Sequence, residues 1–166
     1  MIKEGGPKFF KQELAPQESG TTAPETKEGE PRLEQVLIML KPGALDYEER
    51  LEQFLFKHNL KVVNKREMVL DKKTLLDFYP NAEVNIEKRF PEPKDKDAEM
   101  GRFINYFSGE PAIVLLVEGK DVYEIITKLK LKLRGIFKLT PPRDGLHSSD
   151  DTVETESQKR VVGFEN

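Results

Sequence analysis

Two histidines occur in 166 residues, and one of them, His147, stands in a stretch crowded with reactive side chains, flanked by Arg143, Asp144 and Ser149. An imidazole titrates nearest neutrality of all side chains and can serve as base, nucleophile or ligand. Three further polar residues on separated segments could converge on it. Lys41 lies at the C-terminal end of a strand pattern, Tyr79 ends a helix pattern, and Arg134 enters another strand pattern. Lys, Arg and His together suit phosphate chemistry: cations balance the charge on phosphate oxygens while the imidazole attacks in line, because positioning and charge stabilisation supply most of such catalysis. The other histidine, His58, closes a helix pattern and carries no chemical reading.

Composition limits the alternatives. With 27 Lys and Arg against 30 Asp and Glu, the net charge is −3, so no global field recommends nucleic acid or an anionic membrane as a partner. Any anion site must be local. Cysteine is absent, which excludes disulfides, thiolate catalysis and cysteine-based metal centres. The apolar runs, such as Ala112 to Val117, are far too short to span a bilayer, and the first residues lack the apolar core of a signal peptide. A cytoplasmic protein is expected.

Residues 1–31, rich in Gly, Pro, Thr, Glu and Lys, show no sustained periodicity and are expected to form a flexible tail, leaving 32–166 as one domain. Gln35 to Leu40 is an apolar run closed by Lys41-Pro42-Gly43, the pattern of a buried strand followed by a breaker. Leu45 to His58 fits an amphipathic helix, Leu60 to Leu70 a second strand, and Asp71 to Tyr79 a short helix with an aspartate N-cap. Residues 81–96, polar and holding Pro91 and Pro93, are expected to be an irregular loop before a helix over about 97–107. Pro111 to Glu118 reads as a central strand, and a helix begins near Asp121.

From Lys128 to Arg134, Lys and Leu alternate strictly, which predicts an extended segment with leucines on one face. Such a segment is either an edge strand guarded by lysines or a cationic row facing phosphates. A further strand over 134–139 and a last helix over 153–162 complete an α+β, ferredoxin-like βαββαβ order, its antiparallel strands covered on one face by helices.

From Glu34 to Phe164 the chain resembles the nucleoside diphosphate kinase family. The carriers are Val36-Leu-Ile-Met-Leu-Lys41-Pro42-Gly43-Ala44, Phe78-Tyr79, Phe107 to Gly119, Leu133-Arg134-Gly135, and Arg143-Asp144-Gly-Leu-His147-Ser-Ser149-Asp150, in the family's order. The resemblance implies an enzyme in which His147 takes the terminal phosphoryl group of a nucleoside triphosphate and passes it to a diphosphate in a ping-pong cycle. It further implies that Lys41 and Arg134 hold phosphates, that Tyr79 stands beside the histidine, that Phe90 stacks on the base, and that Ser149 supports the site. Mg2+ would bridge the phosphates, bound chiefly through the nucleotide.

Several positions depart from the family pattern. Gly43 follows Lys-Pro where the family carries aspartate, a change expected to loosen the turn, and Asp144 replaces an asparagine that contacts the sugar. The glutamate that orients the histidine aligns near Lys159, so the acidic support is missing or comes from elsewhere, from Glu154 or Glu156 only if the helix is shifted. Between Gly119 and Arg134 the family's arginine, its Thr-Asn-Pro element and a protruding loop have no counterpart; Thr127 or Lys128 falls at the arginine position, and Lys128, Lys130 or Lys132 could restore charge to the phosphates. The missing loop argues for a homodimer or dimer-based oligomer, joined through the sheet edge and first helix. The competing expectation is a catalytically impaired nucleotide-binding or protein-interaction module on the same fold.

Overall fold

The computed structural model describes residues 33–137 and 145–165; the expected tail, Arg143 and Asp144 lie outside them. Four strands form one antiparallel sheet: β1 (Glu34–Leu40), β2 (Lys61–Val69), β3 (Pro111–Gly119) and β4 (Leu146–Ser148), in the order β2-β3-β1-β4. The helices are α1 (Glu48–Lys57), preceded by a 3-10 turn at Leu45–Tyr47, α2 (Lys72–Phe78), α3 (Ala82–Arg89), α4 (Pro93–Phe107), α5 (Val122–Phe137) and α6 (Thr152–Val162). The ferredoxin-like α+β order is present, with β4 as the last strand.

The continuous apolar runs of β1 and β3 follow from burial on both faces. Val36, Ile38, Leu40, Leu115 and Val117 pack with Leu51 and Leu55 of α1 and Ile126 and Leu129 of α5. Their alternates Leu37, Met39, Val114 and Leu116 pack with Leu75 and Phe78 of α2, Phe107 of α4 and Val162 of α6. The expectation of helices on one face is therefore corrected: the sheet is sandwiched. At the edge, β2 is mostly exposed and polar, with Lys65 reaching Glu48 and Glu52 of α1.

Two further expectations change. The alternating segment 128–134 is helical, part of α5, and Arg134 to Phe137 continue that helix instead of starting a strand. Val122, Ile126, Leu129 and Leu133 are buried while Leu131 is 61% exposed, so an i, i+4, i+7, i+11 stripe set by the longer window overrides the local period of two. Leu and Lys are also good helix formers. The segment expected to be a loop, 81–96, instead supplies α3 and the start of α4. Pro93 stands in the first turn of α4, where its missing N–H costs nothing.

Candidate active site

The chain reversal after β1 places the first cation. Ala44 N donates to Lys41 O at 3.0 Å, Pro42 precedes Gly43, and Gly43 has φ +84°, the signature of a type II turn that calls for glycine at its third position. Far from being loosened, the turn is closed, and Tyr106 donates its hydroxyl hydrogen to the Pro42 carbonyl. Lys41 N also donates to Gly145 O at 2.9 Å, which ties the turn to β4, and the lysine is 6% exposed.

His147 is the middle residue of β4 and pairs with Met39 of β1. Its ring meets Phe78 edge-on at 5.3 Å and Tyr79 at 5.0 Å, centroid to centroid. Tyr79 is the C-cap of α2, a helix started by Asp71, whose side chain accepts from Thr74 N at 2.7 Å. Ser149 lies beneath the site, 3% exposed. Its Oγ accepts from Leu37 N at 3.0 Å and shares a hydrogen with Thr155 Oγ1 at 2.6 Å, so it stitches the exit of β4 to β1 and α6.

Helix α6 supplies the face behind the imidazole. Asp151 caps it, accepting from Glu154 N at 2.8 Å, while Glu154 Oε2 accepts from Asp150 N at 2.7 Å. Residues 154 and 158 share one face of a helix. Gln158 places its carboxamide against His147 Nε2, with Oε1 at 3.2 Å and Nε2 at 2.9 Å, and Glu154 Oε1 stands 3.6 Å from the same ring nitrogen. Lys159 turns away to Gln35 and Glu156. The side chain that meets His147 Nε2 is thus Gln158, with a carboxylate one turn before it.

Burial pushes the His147 imidazole down from 6.5 to about 3, with the Lys41 and Lys130 charges adding to the effect and the Gln158 hydrogen bond and Asp150 opposing it. Desolvation raises the Glu154 carboxyl above its ordinary value. The site therefore holds a neutral imidazole at physiological pH, the form with a nitrogen lone pair to attack an electrophile.

A cleft of about 730 Å³ opens over these residues, lined by Lys41, Tyr79, Arg89, His147, Asp150 and Gln158 among others. The structure brings Lys41, Tyr79 and His147 together there. Phe90, the C-cap of α3, and Lys128, paired with Glu124 at 2.6 Å, are not among its lining residues. Lys130 does not line the cleft either, but it lies 2.9 Å from Asp150, which does, and its charge acts on His147. Arg134 lies on α5, its side chain outside the described part. Residue types alone do not single out Arg89; Glu154 is one of the two candidates for acidic support, and Gln158 is not among them. The capping pattern Asp151-x-x-Glu154 was the available signal for the last two, since it sets the phase of α6. Among the described residues, no three His, Asp or Glu side chains are placed to hold a metal ion, and no helix is long and apolar enough to cross a membrane.

Fold and cleft define a ferredoxin-like α+β domain with a histidine at the foot of a cleft whose lining mixes the cations Lys41 and Arg89 with the carboxylates Glu99, Asp150, Asp151 and Glu154. No family model matches the sequence, and no curated protein matches it. Solved structures do. A nucleoside diphosphate kinase from Borrelia burgdorferi, a transition-state mimic with bound vanadate and ADP, is similar with TM-score 0.62 at 17% identity, over 78% of this chain and 86% of that one. An NDP kinase from Pyrobaculum aerophilum gives 0.56 at 20% identity, over 78% and 95%. A nucleoside diphosphate kinase from Encephalitozoon cuniculi gives 0.62 at 17%, over 77% and 87%. The chain has the fold of the nucleoside diphosphate kinases.

Proposed function

We propose that this protein is a nucleoside diphosphate kinase that carries the phosphoryl group on His147. The observation that carries the reading is a neutral, part-buried imidazole at the foot of a cleft that also holds Lys41 and Tyr79, in that fold. With Nε2 occupied by α6, Nδ1 is the nitrogen offered to the nucleotide. Its lone pair forms a bond to the terminal phosphorus while the bond from that phosphorus to the bridging oxygen breaks, its electron pair leaving with the diphosphate. A second diphosphate then takes the group from the ring. Lys41 neutralises phosphate charge, and Arg89, Arg134, Lys128 and Lys130 are the further cations within the proposal. Phe90 and Asp144 are assigned to the base and the sugar, Tyr79 packs the ring, and Ser149 holds β4 in place.

Mg2+ enters with the nucleotide as part of the substrate. The working assembly is a homodimer through β2 and α1, where Phe56 and Val69 are exposed, and the protein acts in the cytoplasm without nucleic acid or membrane as partner. One observation favours the competing, non-enzymatic module: Gln158, the side chain on Nε2, cannot carry charge.

Incubation with ATP and Mg2+ is expected to give an acid-labile phosphohistidine, and added GDP to release it as GTP. His147→Ala is expected to abolish both, a loss of at least about 10³-fold. Nucleotide binding with no phosphorylation of the wild type selects the binding module; transfer that survives His147→Ala removes the mechanism.

A further inference from the structure

We infer that Glu154 is a positioning residue for His147: it orients the carboxamide of Gln158 so that the imidazole is held with its hydrogen on Nε2 and its lone pair on Nδ1. The inference rests on the reading of His147 as phosphoryl carrier for its kinetic consequences, and stands without it for the state of the ring.

Gln158 is 1% exposed, so its amide atoms must find partners inside the protein. Its Nε2 lies 2.9 Å from Glu154 Oε1 and 3.4 Å from the main-chain oxygen of Phe78. A main-chain carbonyl and an ionised carboxylate can only accept. The two amide hydrogens therefore meet two acceptors, and Gln158 Oε1 remains for His147 Nε2, 3.2 Å away. An amide oxygen accepts, so the imidazole donates Nε2–H. The opposite arrangement, in which Gln158 Nε2 donates across its 2.9 Å contact to the ring, takes a hydrogen away from Glu154 or Phe78. It also leaves Oε1 with no donor among the described residues. Oxygen and nitrogen of an amide are assigned from such networks, and only the first arrangement satisfies every member.

Glu154 can fix the amide because it is fixed itself. One oxygen accepts from Asp150 N and its own N–H is held by the Asp151 side chain, which leaves Oε1 aimed at Gln158. The same oxygen is 3.6 Å from His147 Nε2, close enough to offset the positive charge that the ring acquires when Nδ1 bonds to phosphorus. The Nε2 proton stays on the ring through both half-reactions, so Gln158, which cannot take up a proton, suffices as the direct contact. The carboxylate acts one helical turn away.

Glu154→Gln tests this. It keeps an acceptor for Asp150 N, but it presents an NH2 group to Gln158 and frees that amide to turn. In the unphosphorylated protein, 15N NMR of the His147 ring is expected to show Nε2–H in the wild type and a substantial Nδ1–H population in the variant. Phosphoryl transfer is expected to fall roughly 100-fold in kcat with KM for the nucleotide little changed, the pattern of a wrong tautomer. The double variant Glu154→Gln with Gln158→Glu, which sets a carboxylate directly on Nε2, is expected to restore the Nε2–H form and most of the rate. Nδ1–H in the wild type overturns the inference without any variant, as does a Glu154→Gln ring unchanged from wild type or a double variant no better than the single. A wild-type ring in the Nε2–H form that never takes phosphate from ATP and Mg2+ supports the positioning and removes only the phosphoryl-carrier role.

Discussion

Burying an imidazole beside two lysines changes the pH at which it takes a proton, and with it the pH at which the fold weakens. His147 titrates near 3 in the native chain against an ordinary 6.5. Between those values the unfolded chain binds a proton that the native one refuses, so stability falls as the pH drops from about 6.5 toward 3, by on the order of a few kcal/mol. Glu154, raised by burial, works in the opposite sense: its native carboxyl keeps a proton longer, and that contribution is lost as pH rises through its native value. Denaturant unfolding of the wild type and of His147→Gln at pH 7 and pH 5 is expected to show the larger acid loss in the wild type. Equal losses would refute the assignment. At this scale, residue types exposed His147, Lys41 and Tyr79 because Lys, Tyr and His in those settings are chemically distinctive. Gln158 was hidden, since an uncharged amide matters only through the side of the helix on which it falls, and residue type could not tell Lys130 from Lys128 and Lys132.

Helix α5 shows how an element can contradict its own local pattern. Three leucines at spacing two predict one buried face of a strand, yet only Leu129 and Leu133 are buried. Leu129→Ala is expected to cost about 2–5 kcal/mol, and Leu131→Ala to change stability by no more than about 0.5 kcal/mol, as read by chemical denaturation. A strand would make the two equal. Strands β1 and β3, helix α2 and the start of α6 were legible because strong apolar runs, aspartate caps and prolines mark them. Segment 81–96 was not. Its helix α3 buries no residue, so it lacks the apolar period that announces a helix, and its two prolines flank or begin helices instead of breaking one.

For the whole molecule, the two-faced core explains why the sheet can carry the proposed phosphoryl carrier at one margin without losing cohesion. β1 and β3 are apolar on both sides and zipped along their length, from Glu34 opposite Gly119 to Leu40 opposite Ile113. Among the described residues, β4 is a three-residue strand at the sheet edge, paired to β1 alone at Ile38, Met39 and Leu40. Short edge elements open locally at lower free energy than the centre of a sheet. The strand that bears the imidazole is thus the part of the sheet with the fewest ladder bonds to break. On warming, the protein is expected to become inactive while it still scatters and absorbs as a folded body: amide exchange at Leu146, His147 and Ser148 should rise, and phosphate uptake fade, at temperatures below the main calorimetric transition. Its working thermal range is then set by three residues of backbone rather than by the core beneath them.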